Sequence, residues 1–286
     1  MKIDNVLVAV AGRGLCEEML NMLMDIPAFR TANVTLLHVV PNEVSADVMS
    51  EKLEAGGKIL AGAVQSLRVE PNRVNPRLKQ GDPKDIVCQV ADEENSDLII
   101  IGSRGLQGLR AILENSVSQY VFQLTTRPML LVKDGTYVKK LRHIMVALDT
   151  SESATECLQL ALSWAKNVPG GQLIIAHVDK DLSGKAKEDL SGNAEKDDPI
   201  LALAAAEAKR QGVSYRCVSG KGKPGPEICR LAEEVNADLL ILGSPDRRPT
   251  IAKSLVDVDR LIGGSLSDYV RVHADCPVLL ARTPEN

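Results

Sequence analysis

The chain has 286 residues, a formal net charge of −4 and a pI near 5.7, and 44% of its residues are hydrophobic. This composition is typical of a globular protein, and the acidic balance with only 2% aromatic residues argues against a nucleic-acid-binding surface. No apolar run has membrane-spanning length, no signal-peptide pattern is visible, and six cysteines without the spacing of a disulfide scaffold indicate a reducing compartment. We therefore expect a cytoplasmic protein with neither membrane nor nucleic acid as a partner.

Apolar runs of strand length alternate with helical periodicity along the first half of the chain. The runs predict five strands, at Val6–Ala11, Val34–Val40, Val74–Leu78, Leu98–Ile101 and Met129–Val132. Apolar residues at helical spacing predict helices between the strands, one of them beginning at Asp82-Pro83, where an N-cap residue precedes proline. Apolar strands that alternate with helices indicate a parallel sheet covered on both faces.

The second half of the chain repeats the first. For example, Val6–Val10 matches Ile144–Leu148, and the order of matching residues never breaks. We predict two tandem doubly wound α/β domains, residues 1–137 and 138–286. Each domain is expected to hold a five-stranded parallel sheet in the order 3-2-1-4-5 with helices on both faces. Ligands of such sheets bind at the carboxyl edge, where the strand order reverses.

One polar stretch distinguishes the second half. Residues 181–199 are rich in Asp, Glu, Lys, Ser and Gly, and this composition predicts a mobile loop. A helix that contains Leu201 and Ala208 is expected to follow it. In the first helix of this half, the inward face is predicted from apolar spacing at Ala154, Leu158, Ala161, Leu162 and Ala165.

A glycine-bearing loop follows the fourth predicted strand. Gly102 and Gly105 come directly after the strand, and Ser116 and Ser118 then open a segment of helical spacing. Glycines let the backbone come close to a ligand, and free N–H groups at a helix start point at an anion. The pattern therefore predicts a phosphate site. Two plainer interpretations stay open: the glycines shape a tight turn, and the serines cap the helix.

With these residues in place, the chain resembles the universal stress protein family in its tandem two-domain form. The resemblance rests on the first strand and its turn, the segment at 97–105, the Ser116-Val-Ser118 helix start and the run at 128–132. It also rests on the His-Val pairs at 38–39 and 177–178. It implies a stress-response protein that binds ATP or another adenine nucleotide, with or without Mg²⁺, as a regulatory ligand.

Nucleotide-binding members of that family carry Gly, two residues, Gly, nine residues and then Gly-Ser or Gly-Thr, with an acidic residue at the end of the first strand. The first domain keeps this spacing but has Asn115 for the third glycine and Ala11 for the acidic residue. Asn is the non-glycine residue that best tolerates positive φ, so we favour this domain. Its predicted nucleotide-binding residues are Val39, Val40, Gly102, Gly105, Asn115, Ser116, Val117 and Ser118.

The second domain keeps the acidic residue, Asp149, but has Asp246 in place of the second glycine and a longer loop with two arginines. Asp149 could instead cap the helix predicted to start near Ser153. The residues that could hold a nucleotide here are Asp149, Val178, Gly243, Gly264, Ser265 and Ser267.

Other functions were weighed against nucleotide binding. A nucleotide-free interaction module is the main alternative, because each domain lacks part of the family pattern. An adenylating enzyme would show a Ser-Gly-Gly-x-Asp-Ser loop or a His-x-Gly-His turn after the first strand, and neither is present. We predict no catalytic residues, at most slow ATP hydrolysis, and no structural metal, since His273 and Cys276 lack a second pair of ligands. The resemblance further implies an intrachain pseudo-dimer through the last strands, 128–132 and 277–281, and allows a homo-oligomer.

Overall fold

The protein is described by a computed structural model at residues 2–103, 116–134, 140–180, 189–245 and 265–283. The chain divides into two units, Met1–Asp134 and Gly135–Asn286. The domain boundary predicted between residues 137 and 138 lies outside the described residues, as do Gly105, Asn115 and Gly264. Within the described ranges, none of the helices is both long and apolar enough to cross a lipid bilayer.

Unit 1 contains a parallel sheet in the predicted order, β3-β2-β1-β4-β5. Its strands are β1 (Asn5–Ala9), β2 (Asn33–Val40), β3 (Val74–Gln80), β4 (Leu98–Ser103) and β5 (Met129–Lys133). The central strands are buried on both faces because helices cover the sheet on each side, so every residue of the apolar run Leu98–Ile101 is buried.

The helices of unit 1 begin and end where local chemistry allows. They are α1 (Leu15–Leu23), α2 (Ala46–Ser66), α3 (Pro83–Glu93) and α4 (Val117–Leu124). The predicted cap of α3 is confirmed, since the Asp82 carboxylate accepts a hydrogen bond from the Lys84 N–H and Pro83 occupies the first helical turn. Val87, Val90 and Ala91 form the buried face of this helix.

Unit 2 repeats the plan, with the sheet order β8-β7-β6-β9-β10. Its strands are β6 (His143–Leu148), β7 (Gln172–Asp179), β8 (Tyr215–Lys221), β9 (Leu239–Pro245) and β10 (Val278–Thr283). Its helices are α5 (Glu152–Asn167), α6 (Pro199–Gln211), α7 (Pro224–Glu234) and α8 (Leu266–His273). The apolar face predicted for α5 is confirmed, since all five of its predicted residues are buried.

Four strand ends of unit 1 differ from prediction by one or two residues, and those of β1 and β4 bear on the predicted site. Strand β1 ends at Ala9, so Ala11 lies in the loop that follows and not in the strand. Strand β4 runs on through Gly102 and Ser103, which pair with the last two residues of β5. Gly102 is therefore part of the sheet edge and not of the loop. The sequence suggested a shorter strand because glycine usually marks the end of one.

The polar stretch of unit 2 is partly anchored to the sheet. Asp189 exchanges backbone hydrogen bonds with Ser219 of β8, and the Cys217 N–H donates to the Gly192 carbonyl. Composition predicted a mobile loop here, but these bonds fix residues 189–193 along the outer edge of β8. They cover the backbone groups that an edge strand would otherwise leave without partners.

Candidate functional site

The candidate site of unit 1 lies at the carboxyl ends of β1 and β4. These strands are neighbours, yet the chain leaves β1 towards β2 and later returns to β4 on the other side. The loops after them therefore diverge and leave a crevice, which is where doubly wound sheets bind their ligands. The end of β4 lies at this crevice, and α4 is the next described helix along the chain. The end of β4 and the start of α4 are both predicted to contact phosphate.

Gly102 is exposed at the end of β4. Its φ angle is not in the positive region that favours glycine. A Cβ atom at this position would have the Cys16 Sγ and the Val132 carbonyl oxygen, each at 3.9 Å, as its nearest described neighbours. These are ordinary contact distances, so neither backbone conformation nor described packing requires glycine here. Its absence of a side chain leaves the backbone open to close approach from outside.

The start of α4 has serine hydroxyls that do not cap the helix. Ser116 is the N-cap residue, but its side chain makes no hydrogen bond to the helix backbone. Its Oγ lies 2.8 Å from the Oγ of Ser118 instead. Whichever hydroxyl donates, the other keeps its own proton for a further acceptor. Because Ser116 does not satisfy the N–H groups of the first turn with its side chain, this end of α4 suits an anion.

Two of the predicted nucleotide-binding residues, Val39 and Val40, lie at the end of β2. Val40 is buried, and its carbonyl oxygen already accepts a hydrogen bond of 3.0 Å from the Gly81 N–H. Val39 is half-buried and so is the more accessible of the two. Val39 and Val40 lie at the carboxyl end of β2, Gly102 lies at the carboxyl end of β4, and Ser116, Val117 and Ser118 form the start of α4.

The matching helix start in unit 2 is already satisfied. Ser265 Oγ accepts a hydrogen bond of 3.1 Å from the Asp268 N–H and donates one of 2.8 Å to the Asp268 Oδ2. The Ser265 hydroxyl therefore caps α8, and the Asp268 carboxylate accepts a hydrogen bond from that same hydroxyl. The Asp268 carboxylate places a negative charge at the N-terminus of α8, where a phosphate would otherwise be favoured. A phosphate at this helix start would therefore meet repulsion.

The Asp268 carboxylate also faces a buried cation. Its Oδ1 lies 3.5 Å from an Nη of Arg271, and the two side chains are only 13% and 5% exposed. Burial lowers the pKa of Arg271, while the neighbouring carboxylate opposes that shift. In unit 1, the two matching positions hold the buried residues Gln119 and Phe122. Sequence reasoning missed this pair, although the Ser-x-x-Asp spacing at 265–268 is a readable capping signal.

Asp149, the acidic residue predicted for unit 2, is bonded within its own loop. Its Oδ1 accepts hydrogen bonds from the Ser151 N–H at 2.9 Å and from the Ser151 Oγ at 2.5 Å. Ser151 is the N-cap of α5 and accepts a bond from the Ala154 N–H. The cap interpretation is therefore wrong: Ser151 caps the helix, and Asp149 accepts hydrogen bonds from that serine.

Gly243, the unit 2 counterpart of Gly102, is constrained by packing. A Cβ atom here would lie 2.9 Å from the Ser153 Oγ and 3.2 Å from the Ser153 Cβ. Of the remaining predicted residues of unit 2, Val178 and Ser267 are buried. Glycine in unit 2 thus accommodates a neighbouring side chain, whereas glycine in unit 1 leaves space at the edge.

The two matching histidines have structural partners. His38 Nδ1 lies 2.8 Å from the Val10 carbonyl oxygen, and His177 Nδ1 lies 2.6 Å from the Asp198 Oδ2. Asp198 also accepts N–H bonds from the first turn of α6. Burial would raise the pKa of Asp198, but the hydrogen bond from His177 and those helix N–H groups hold it below its ordinary value.

Metal and thiol chemistry receive no support from the described residues. In the parts of the chain that the structure describes, no cluster of three or more His, Cys, Asp or Glu is placed to hold a metal ion. All six cysteines are free thiols. Cys16, beside Gly102, is buried, and burial raises its pKa to about 12, so its thiol is a poor nucleophile.

Comparison with known proteins identifies the family. The model of the universal stress protein family matches the chain twice, at residues 2–133 and 140–282. The chain therefore belongs to the universal stress protein family and carries two of its domains. Universal stress protein YxiE of Bacillus subtilis is 27% identical over 146 residues, which are 46% of this chain and 99% of that protein.

A solved structure shows the same fold over nearly the whole chain. A universal stress protein from Archaeoglobus fulgidus aligns with 98% of this chain and 97% of its own at a TM-score of 0.75 and 21% identity. A universal stress protein in complex with cAMP aligns with 49% of this chain and 95% of its own at a TM-score of 0.34 and 24% identity. At these identities the likeness concerns the fold alone.

Proposed function

We propose that this chain binds an adenine nucleotide, ATP or a relative of it, as a regulatory ligand of the stress response, at the carboxyl edge of unit 1. The observation that carries the proposal is the contrast between the two matching helix starts. In α4, Ser116 and Ser118 bond to each other and leave the helix end uncapped by the Ser116 side chain. In α8, Ser265 is engaged and a carboxylate stands at the helix end.

Each part of the edge has a role in holding such a ligand. The N–H groups at the start of α4 and the spare serine proton suit the phosphate tail. Gly102 lets that tail approach the backbone, and the half-buried Val39 borders the base. A nucleotide lies within the chemistry of the family, since one member has been solved with cAMP. Within this chain, the start of α4, Gly102 and Val39 support the proposal.

A second function is supported for unit 2, that of a nucleotide-free domain. The observation that favours it is the Asp268 carboxylate at the start of α8. Asp149 is also bonded to Ser151 and would have to exchange that partner for a ligand. We therefore expect one nucleotide per chain and not two.

The test is a calorimetric titration of the full chain with ATP, with and without Mg²⁺. The variant Ser116→Ala/Ser118→Ala removes both hydroxyls from the start of α4, and Ser265→Ala/Ser267→Ala is its matched control in unit 2. We expect a stoichiometry near one, and about tenfold weaker binding in the unit 1 variant, because charge-assisted hydrogen bonds of this kind are worth about 1.5 kcal/mol or more. The control should bind as the parent chain does.

Other outcomes decide against parts of the proposal. If both variants bind ATP as tightly as the parent chain does, α4 is not part of the site. If only the unit 2 variant binds ATP more weakly, the site lies in unit 2. No binding at millimolar ATP, together with no nucleotide released from freshly purified protein, would favour the interaction module. Phosphate release during the same incubation measures hydrolysis, which we expect to be slow at most.

We infer a cytoplasmic setting for this function. Six free thiols suit a reducing compartment, where glutathione and thioredoxin keep cysteines reduced. Cell fractionation with an antibody to the protein checks the location, and recovery mainly outside the cytoplasm would contradict it.

A further inference from the structure

An ion pair crosses the carboxyl edge of unit 1. The guanidinium Nη1 of Arg13 contacts the Oδ2 of Asp134. Arg13 lies in the loop after β1, and Asp134 directly follows β5. Strand β4 lies between these two strands in the sheet, so the pair must pass over the end of β4. Since neighbouring strands are about 4.8 Å apart, the two side chains bridge roughly 10 Å.

Backbone conformation and a backbone hydrogen bond restrain the segments that carry Arg13 and Asp134. Gly12 and Gly14, on either side of Arg13, have φ angles of 74° and 77°, a backbone region that other residues rarely adopt. The Asp134 N–H donates a 3.0 Å hydrogen bond to the Ser103 carbonyl, which fixes the carboxylate beside the last residue of β4. The guanidinium is therefore placed at the crevice by backbone geometry on each side.

The corresponding loop of unit 2 has the opposite character. Its residues are Asp149, Thr150 and Ser151, and Asp149 accepts two hydrogen bonds from Ser151. Of these two matching loops, the one in unit 1 carries a cation and the one in unit 2 carries a carboxylate. The Arg13 side chain is 55% exposed and the Asp134 side chain 32% exposed. Exposed ion pairs add little stability, so the guanidinium can exchange its partner at small cost.

We propose that Arg13 is a ligand for the anionic part of the molecule bound in unit 1, and that Asp134 competes with that molecule for the guanidinium. This inference rests on the proposed nucleotide function and adds a residue and a means of regulation to it. Phosphate offers the guanidinium two parallel hydrogen bonds and more negative charge than a single carboxylate does. Asp134 keeps Arg13 over the end of β4 until such an anion displaces it.

The experiment compares affinities in the full chain for ATP, inorganic triphosphate and adenosine. Arg13→Gln should weaken ATP binding about tenfold and leave adenosine unchanged, because only the phosphates meet the cation. Asp134→Asn should strengthen ATP binding about threefold, because the internal competitor has lost its charge. The double variant should bind no more tightly than Arg13→Gln. Arg68→Gln, which removes an exposed cation at the opposite edge of the sheet, is the control and should bind as the parent does.

The outcomes separate this inference from the proposed function. If the parent chain binds ATP and Arg13→Gln binds it equally well, Arg13 is not a ligand, although the nucleotide function stands. The inference also falls if Arg13→Gln weakens ATP and adenosine alike, or if Asp134→Asn still tightens binding without Arg13. If the parent binds triphosphate but no nucleotide, and Arg13→Gln abolishes that binding, the anion contact stands and the nucleotide proposal fails. Absence of binding to all three compounds overturns both.

Discussion

The starts of α4 and α8 show how two matching helix ends of one fold can differ in whether the N-cap serine side chain bonds to the helix backbone. Both starts have serine at the N-cap and serine again two residues later. In α8, Asp268 bonds to the first serine and brings the negative charge that the helix end favours. In α4, the same position is Gln119, and the serines bond to each other. A single side chain three residues into the helix therefore distinguishes the two helix starts.

The largest expected effect comes from removing that carboxylate. Asp268→Ala takes a negative partner from Arg271, whose side chain is 5% exposed, and should destabilise unit 2 by about 3 kcal/mol. Gln119→Ala, the matched change in unit 1, should cost about 1 kcal/mol, a usual value for a point variant. Hydrogen exchange of peptides from α8 and α4 measures each unit separately. Similar losses in the two units would show that the buried ion pair is not what distinguishes them.

The two edge glycines give a second contrast. Gly243→Ala places a Cβ 2.9 Å from the Ser153 Oγ, so we expect about 1–3 kcal/mol of destabilisation from overpacking. Gly102→Ala meets only contacts of 3.9 Å among the described residues and should change stability by less than about 0.5 kcal/mol. Gly102→Ala should nevertheless weaken ATP binding. Urea unfolding and calorimetry check the two results, and a strongly destabilised Gly102→Ala would contradict the account of an edge left open for a ligand.

The two N-cap serines, Ser265 and Ser116, should contribute differently to stability. Ser265→Ala loses the bond to the Asp268 N–H and should cost about 1 kcal/mol. Ser116 makes no cap bond with its side chain, so Ser116→Ala should cost less than about 0.5 kcal/mol. Hydrogen exchange at the first turns of α8 and α4 measures both. Equal loss of protection in the two helices would mean that Ser116 caps α4 in solution.

The smallest effect concerns the strand histidines and depends on pH. The ionised Asp198 has a pKa below its ordinary value of 3.8, so its stabilisation is present above that value and is lost as pH falls through the lower, folded-state pKa. Asn caps a helix nearly as well as Asp, so Asp198→Asn should cost only about 1 kcal/mol at pH 7, for the charge-assisted bond from His177.

Denaturant unfolding of the parent chain and Asp198→Asn at pH 7 and pH 3 tests this expectation. The difference between them should shrink at the lower pH. A constant Asp198→Asn difference at both pH values would exclude the carboxylate charge as the source of stability.

Much of the fold could be predicted because its signals are local. The apolar run Leu98–Ile101 has the length of a buried strand and lies in one, and Asp82-Pro83 starts a helix through bonds to its own neighbours. The strand pairing confirms the predicted order in each unit. The order could be predicted because right-handed crossovers leave few alternatives. The end of β4 was misjudged because pairing with β5 extends it through Gly102, and that pairing joins segments far apart in the chain.

The candidate site was predicted only in outline. Motif spacing predicted a phosphate site from Gly102, Ser116 and Ser118, and this assignment stays a prediction, since the structure shows a contact between the two serines but none that joins them to Gly102. Spacing alone did not show that the α8 start is satisfied, although the capping pattern at 265–268 is local and could have been read. It gave no sign of Arg13, because the partner that holds it lies 121 residues away.

The sequence by itself determined two copies of a doubly wound sheet, since burial of apolar strands and local capping depend on residues near each other in the chain. Only the tertiary structure decided which copy keeps an open helix start and where its cation lies. Those properties depend on hydrogen-bond partners, and a hydroxyl or a guanidinium bonds to whatever polar group the fold brings within about 3 Å of it. Asp268 and Asp134 are such groups, and their positions distinguish the two units.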